Sequence, residues 1–79
     1  DRRDETLFDR LRVIRKKIAG ENHVPPYIIF SDKTLHEMCR HFPKTPSELR
    51  RIPGVGDVKL QRYGEDFLEE ILDYRSTGR

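Results

Sequence analysis

The sequence predicts an all-α domain, a compact bundle of about five helices. Apolar residues recur every three or four positions in separate segments, which is the spacing of amphipathic helices. Prolines and glycines stand between these segments, where such residues end helices and form turns. A chain of 79 residues is long enough for one small domain with a single apolar core.

Composition narrows the kind of function that the domain can have. Charged residues make up 38% of the chain, which favours an extended binding face over a deep catalytic cleft. The net charge of +2 does not by itself indicate a nucleic-acid partner. However, Lys and Arg are concentrated between Lys33 and Arg62, and acids follow Gly64. This segregation predicts one positive face, although solvated surface charge is the commoner reason for charged residues.

The setting is predicted from the single cysteine and from the lack of long apolar runs. Cys39 has no second cysteine to pair with, and the charged first residues do not resemble a secretory signal. We therefore expect an intracellular protein with no membrane contact. Residues 1–3 and 76–79 are expected to fray, as the ends of a module excised from a longer protein would.

The first helix is predicted to run from Asp4 to about Gly20, where Gly20 or Asn22 can end it. Its inner face carries apolar residues at helical spacing: Leu7, Leu11, Ile14 and Ile18, with Phe8 on the flank. Its outer face is basic, and solubility is the simplest role for those charges: Arg10, Arg12, Lys16 and Lys17. Arg15 lies at the border of the two faces.

Residues 23–30, His-Val-Pro-Pro-Tyr-Ile-Ile-Phe, are predicted to form an extended linker. Two consecutive prolines are expected to exclude a helix and to impose a polyproline-like path. The apolar residues here should coat the core: Val24, Ile28 or Ile29, and Phe30. Tyr27 can be a core ring with its hydroxyl at the surface or an exposed platform for a nucleic-acid base, and the residues alone favour the core.

A second helix is predicted from a cap at Ser31 or Asp32 to about His41. Its apolar stripe turns it inward: Leu35, Met38, Cys39 and Phe42. The group His36, Cys39 and His41 is not expected to bind a metal. Cys39 belongs to the apolar stripe, and a structural zinc site needs four ligands at recognisable spacing.

A third, short helix has a full set of start signals. Thr45 is predicted as its N-cap and Pro46 as its first residue, and Glu48 can return a hydrogen bond to the cap. The helix places Arg50 and Arg51 directly before the glycine-rich turn that follows.

Two further helices are predicted after this turn. The fourth runs from about Asp57 to Tyr63, and Gly64 bends or ends it. The fifth runs from Glu65 to about Tyr74 and buries apolar residues: Phe67, Leu68, Ile71 and Leu72. Its other positions are acidic and include Glu65, Asp66, Glu69, Glu70 and Asp73.

The turn Ile52-Pro53-Gly54-Val55-Gly56, here called the glycine hairpin, is the strongest candidate binding site. Gly54 and Gly56 can adopt positive φ, and without side chains they leave the main chain uncrowded. Asp57 is expected to cap the next helix, whose free N–H groups and positive dipole end point back at the hairpin. With Lys59 and Arg62 just beyond, such an arrangement suits a phosphate. Close helix packing is the equally open structural alternative.

Patterns for catalysis are missing from the sequence. It contains no Gly-x-x-x-x-Gly-Lys-Ser/Thr phosphate loop, no Gly-x-Ser-x-Gly elbow and no His-Glu-x-x-His pair. The carboxylates lie on outward helix faces among basic residues. We expect no catalytic residue, cofactor or metal in this chain.

Three stretches together resemble the HRDC family, the domain shared by RecQ-type helicases and RNase D. They are Leu7-Phe8-x-x-Leu11-Arg12, the run from Val24 to Leu35, and Gly54-Val55-Gly56-x-x-Lys59-Leu60-x-x-Tyr63-Gly64. The diproline-aromatic run is the most specific of them, because the glycine hairpin also occurs in helix-hairpin-helix DNA-binding modules. The form Val-Pro-Pro-Tyr-Ile-Ile-Phe looks most like bacterial RecQ helicases.

The resemblance implies a monomeric accessory domain that follows the core of an ATP-hydrolysing DNA helicase in the bacterial cytoplasm, at the nucleoid. Such a domain binds single-stranded or branched DNA weakly and tunes substrate choice in DNA repair and recombination. The resemblance also makes Tyr27 a candidate base-stacking ring. The predicted nucleic-acid contacts are Arg15, Tyr27, Lys33, Arg51, Gly54, Val55, Gly56, Lys59 and Arg62.

Two alternatives to DNA binding stay open. Members of the HRDC family differ in surface charge, and some use the domain for protein contacts. The acidic last helix would then dock on the parent's own helicase core or on another partner with a basic surface. An RNase D-type parent would keep the fold and change the ligand to RNA.

Overall fold

The computed structural model describes residues 6–77 and shows five α-helices in that range. They are α1 (Leu7–Glu21), α2 (Pro26–Ile29), α3 (Asp32–His41), α4 (Pro46–Arg50) and α5 (Gly56–Thr77). Because these residues contain no strand, the predicted all-α class is confirmed. The predicted helix start at Asp4 and the predicted fraying of residues 1–3, 78 and 79 lie outside the described residues.

One apolar core joins all five helices. Helix α1 packs against α2, α3 and α5, and α4 packs against α5. The fully buried side chains include Phe30 and Phe67, whose rings meet edge to face with their centroids 4.9 Å apart. The remaining core residues come from every helix and from the glycine hairpin: Leu7, Leu11, Ile18, Ala19, Ile29, Leu35, Met38, Leu49, Ile52, Val55, Leu68 and Ile71.

Helix α1 has a cap at each end. The Thr6 hydroxyl accepts a hydrogen bond from the N–H of Asp9, and the Asp9 carboxylate accepts one from the N–H of Thr6. This reciprocal pair is a capping box. At the other end the Asn22 amide donates to the Ile18 carbonyl at 2.8 Å, so Asn22 ends the helix and Gly20 lies inside it.

The diproline segment is not extended throughout, which corrects the prediction that two prolines exclude a helix. Pro25 is extended, with φ −63° and ψ 151°, but Pro26 is the first residue of the single-turn helix α2. Proline is suited to this position because its φ is already helical and the first N–H of a helix has no partner within it. The turn buries Ile29 and leaves Tyr27 and Ile28 exposed.

Helices α3 and α4 begin where the sequence predicts. The Ser31 hydroxyl accepts from the N–H of Thr34 at 3.2 Å, and the Thr45 hydroxyl accepts from the N–H of Glu48 at 3.2 Å. The Glu48 carboxylate accepts from the N–H of Lys44 at 2.8 Å, one residue before the cap to which we expected it to return. The chain between the two helices reverses at Phe42, which has a left-handed φ of 49°.

The predicted fourth and fifth helices are one continuous helix, α5, of 22 residues. Gly64 does not end it, which corrects the prediction of two separate helices. Glycine inside a helix costs only about 1 kcal/mol relative to alanine. A Cβ on Gly64 would lie 2.7 Å from a methyl carbon of Leu60, one turn earlier in the same helix, and at an ordinary contact distance of 3.6 Å from a methyl carbon of Leu49 in α4. The helix continues past the predicted end at Tyr74 to Thr77.

None of the helices within residues 6–77 combines the length and the apolar character required to cross a bilayer.

Candidate nucleic-acid interface

The glycine hairpin links α4 to α5, and both of its glycines have the left-handed φ predicted for them. The φ angle is 94° at Gly54 and 65° at Gly56. Between them Val55 is buried, and its N–H donates to the carbonyl oxygen of Ile52 at 3.1 Å. Val55 therefore anchors the turn in the core and uses its N–H to close it, so neither group is presented to a ligand.

The two glycines serve different purposes. The Thr34 hydroxyl donates to the carbonyl oxygen of Pro53 at 3.0 Å, which holds the hairpin against the first turn of α3. A Cβ on Gly54 would lie 2.2 Å from that hydroxyl oxygen, so Gly54 is needed for close packing. A Cβ on Gly56 would meet nothing within 4 Å, so Gly56 leaves its main chain open to a ligand.

Helix α5 starts at this open glycine and brings its positive end to the surface. The first N–H groups of a helix have no acceptor within it, and its dipole favours an anion there. Asp57 was expected to cap the helix, but it lies within the first turn. Both of its carboxylate oxygens accept hydrogen bonds from the Arg50 guanidinium, one of them at 3.2 Å. Hydrogen bonding and the charge of Arg50 lower the pKa of Asp57.

Lys59 and Arg62 follow on α5 at positions three residues apart, which places them on one side of the helix. The Lys59 ammonium nitrogen lies 5.8 Å from the centroid of the buried Phe30 ring, and the side chain is half-buried. Its aliphatic part therefore covers the edge of the core while the charge stays at the surface. Arg62 is exposed.

Two more predicted contacts, Lys33 and Tyr27, are exposed. Lys33 lies in the first turn of α3, next to the residue that holds the hairpin. Tyr27 on α2 is 66% exposed, which rules out the core position and leaves its ring available for stacking. It is three residues before Phe30, whose ring Lys59 covers.

Arg51 lies at a groove that borders the glycine hairpin. It caps the C-terminus of α4 and is exposed. It lines an open groove of about 440 Å³ together with Pro43 and Lys44, which follow α3, and with Ile52 and Pro53 of the glycine hairpin. Lys44 also lines this groove but was not identified as a candidate from the sequence. Its position directly after Pro43, which follows α3, could have indicated an exposed cation.

Arg15 is a structural residue, which corrects its place among the predicted phosphate contacts. Its side chain is buried, and one guanidinium nitrogen donates to the carbonyl oxygen of Phe30 at 2.9 Å. The same nitrogen lies 2.8 Å from a carboxylate oxygen of Asp32. Arg15 therefore ties α1 to the junction of α2 and α3 and is not free to hold DNA.

The acids of α5 line a groove of about 470 Å³ between α1 and α5. Ile14 and Ile18 contribute apolar surface to it, and Lys17 lies at its wall. The acidic residues that line it are Glu21, Asp66, Glu69, Glu70 and Asp73. Arg10 forms ion pairs with two of them, Glu70 and Asp73, the latter at 2.6 Å. This negative groove, here called the acidic groove, belongs to the side of α5 that faces α1.

The histidines and the cysteine of α3 have contacts within the protein. The His36 ring stacks on Phe8 with centroids 4.2 Å apart, and a ring nitrogen of His41 lies 3.1 Å from the Glu37 carboxylate. Cys39 is half-buried, and this burial raises the pKa of its thiol. No three His, Cys, Asp or Glu side chains between positions 6 and 77 are grouped as metal ligands would be.

Comparison with known proteins places this arrangement in context. The model of the HRDC domain family matches residues 4–71. The chain is 44% identical over 73 residues to the ATP-dependent DNA helicase RecQ of Haemophilus influenzae and 49% identical over 71 residues to that of Bacillus subtilis. These matches cover 92% and 90% of the chain but only 12% of each helicase.

A solved structure agrees with these sequence matches. The chain resembles the D. radiodurans RecQ HRDC domain 3 with a TM-score of 0.82 and 30% sequence identity. The similarity covers 85% of this chain and 88% of that one.

Proposed function

The chain belongs to the HRDC domain family, and from that membership we propose that it is an accessory domain of a RecQ-like, ATP-dependent DNA helicase. The relatives support this proposal because each is named as such a helicase and is matched over 12% of its length. ATP hydrolysis and strand separation would then belong to other parts of the parent protein, in the cytoplasm close to chromosomal DNA. The same relatives favour a helicase parent over an RNase D-type exonuclease.

We propose further that this domain binds single-stranded or branched DNA and so tunes which structures the helicase acts on. The observation that carries the proposal is the open main chain of Gly56 at the N-terminus of α5, followed on one side of that helix by Lys59 and Arg62. Main-chain N–H groups at a helix start favour a phosphate, and two cations one turn further along favour the next part of the same strand.

Tyr27 and Lys33 extend this surface beyond the hairpin. An exposed aromatic ring offers a base a stacking partner whatever its sequence, and Lys33 adds a third positive charge beside the hairpin. Such contacts carry little sequence information, as suits a domain that recognises strand structure. With few cations involved and a net charge of only +2, we expect weak binding that falls steeply as salt rises.

The test is the salt dependence of binding to a fluorescein-labelled oligothymidylate. Each phosphate neutralised on a single strand contributes about −0.7 to the slope of log K against log salt concentration. Lys59→Met keeps the aliphatic cover over Phe30 and removes the charge, so it should flatten the slope by about 0.7. Lys17→Met is the matched control, because Lys17 lies at the acidic groove and should leave the slope unchanged.

A double variant gives the decisive outcome. If Lys59→Met combined with Arg62→Met binds the oligonucleotide as tightly as the parent domain at low salt, the hairpin surface is not the DNA site. A forked duplex labelled in the same way, measured beside the single strand, tests the preference for branched DNA.

The acidic groove favours a second candidate function, which is docking on a basic protein surface such as that of the parent's own helicase core. Its apolar floor and acidic walls complement a basic segment that carries an apolar residue. Asp66→Lys and Glu69→Lys should then weaken association between the domain and the remainder of the parent. If the domain binds neither single-stranded nor forked DNA at low salt, docking becomes the better explanation of the fold.

A further inference from the structure

Arg50 and Arg51 directly precede the glycine hairpin. The guanidinium of Arg50 is already paired with a carboxylate of the protein. Arg50 is the last residue of α4, and its donors reach across the hairpin to Asp57 in the first turn of α5. The contact uses two guanidinium nitrogens and both carboxylate oxygens, which is a two-pronged arrangement. Phosphate oxygens accept from arginine in this same geometry.

The Asp57 carboxylate also stands at the place where the proposed function puts a phosphate. It is an anion beside the free N–H groups and the positive dipole end of α5. A phosphate of a bound strand would therefore meet a negative charge at the helix start and an arginine already engaged. Binding at the hairpin requires that this arrangement be displaced or tolerated.

The pair can be displaced because it is at the surface. The side chain of Arg50 is 57% exposed and that of Asp57 is 74% exposed. Exposed ion pairs contribute little in water, and long side chains at the surface readily exchange one partner for another.

We propose that Arg50 is a phosphate-binding residue of the hairpin, that Asp57 occupies it in the free domain, and that Asp57 thereby sets how tightly the hairpin holds a strand. This inference rests on the proposed DNA binding and names two residues that determine its strength. Asp57 takes the place of a phosphate in the free domain, so this carboxylate keeps the affinity of the domain for DNA low. A strand binds by taking over the donors that Asp57 releases.

The experiment compares single-strand affinity in variants of nearly unchanged shape. Asp57→Asn removes the charge and frees Arg50, and it should tighten oligothymidylate binding about three- to tenfold at low salt. It should also steepen the slope of log K against log salt concentration by about 0.7, as one added phosphate contact does. Asp66→Asn is the matched control: it removes the same charge from the same helix at the acidic groove, away from the hairpin.

A double-variant cycle shows whether Asp57 acts through Arg50. Arg50→Gln alone should weaken binding, because it removes the donors that a strand takes over and leaves the Asp57 carboxylate uncompensated at the helix start. In the Arg50→Gln background, Asp57→Asn should lose the added salt slope. Thermal melting followed by circular dichroism confirms that each variant is folded.

The outcomes separate this inference from the proposed function. If Asp57→Asn binds no more tightly than Asp66→Asn, or if its full gain persists without Arg50, the inference is overturned. In both cases a flattened slope in Lys59→Met would still support DNA binding at the hairpin. If Lys59→Met and Asp57→Asn both leave binding unchanged, the two proposals fail together.

Discussion

The hydroxyl of Thr34 donates a hydrogen bond to the carbonyl oxygen of Pro53 at 3.0 Å, so the first turn of α3 supports the glycine hairpin. The contact leaves no room for a side chain on the next residue, Gly54. The shape of the candidate DNA site thus depends on a residue that would not itself touch DNA.

Gly54→Ala should destabilise the domain by about 2–4 kcal/mol. The new Cβ would lie 2.2 Å from the Thr34 hydroxyl oxygen, and alanine would be strained at the φ of 94°. The estimate adds about 1–3 kcal/mol of backbone strain to about 1 kcal/mol for the displaced hydrogen bond. Urea unfolding measures it. Gly56→Ala is the control with strain alone, so equal losses in the two variants would show that Thr34 does not constrain the hairpin.

Arg15→Ala should lower the free energy of unfolding by about 2 kcal/mol. It leaves the Phe30 carbonyl oxygen without the donor it now has and removes a charged hydrogen bond. Asp32→Ala removes only the exposed partner of Arg15 and should cost less than about 1 kcal/mol. Chemical denaturation of both variants separates the two contacts. A larger loss for Asp32→Ala would mean that the ion pair, and not the carbonyl contact, holds α1 to α2.

Tyr27→Ala should weaken binding of a single strand by about 1–3 kcal/mol if a base stacks on the ring. Because the ring is 66% exposed, its removal should leave the melting temperature nearly unchanged. Tyr27→Phe should retain the affinity, and Ile28→Ala is a neighbouring control that removes exposed apolar surface without a ring. Fluorescence anisotropy with the labelled oligonucleotide measures all three. Equal affinities for Tyr27→Ala and the parent domain would exclude stacking.

The pKa of the Asp57 carboxyl should lie below its ordinary value, and Arg50→Gln should return it there. Since folding lowers this pKa, the ion pair contributes to stability above the ordinary Asp value of about 3.9. That contribution is lost as the pH falls through the lowered value. Carbon-13 NMR titration of the side-chain carboxyl measures the shift. Arg40→Gln, which removes an arginine elsewhere, should leave Asp57 shifted, and a normal value in the unaltered domain would refute the pair in solution.

Features with short-range causes were predictable from the sequence. The caps Ser31 and Thr45 bond to N–H groups three residues away, so the residue types and their spacing contain the information. The left-handed φ of Gly54 and Gly56 followed in the same way, because only glycine adopts it without strain. The apolar stripes likewise identify most of the faces that become buried, but Leu72, which was predicted to be buried in the last helix, is exposed.

Features decided by distant contacts were not predictable. Gly64 has the same sequence signature whether it ends a helix or lies within one, and in the fold it lies within α5, buried where that helix packs against α4. Arg15 lies at the border of two faces of α1, and the carbonyl oxygen of Phe30, fifteen residues away, draws it inside. A proline such as Pro26 is compatible with a linker and with the first position of a helix. The burial of Ile29 is consistent with the helix that the structure shows.

The pairing of Arg50 with Asp57 is an intermediate case. Both residues were noted from the sequence, one as a cation before the hairpin and the other as a helix cap. Whether these two side chains pair with each other depends on how the folded hairpin orients α4 relative to α5. The sequence shows how many charged residues lie near the hairpin, but it does not show which of them pair with each other.

The continuity of α5 through Gly64 has a mechanical consequence. A helix of 22 residues is about 33 Å long, comparable to the longest dimension of the domain, 32 Å. The glycine hairpin is at one end of this rod and the acidic groove runs along its later turns. Because the helix is continuous, fixing the orientation of one end also fixes that of the other. A parent protein that bound the acidic groove would therefore set the direction in which a bound strand leaves the hairpin.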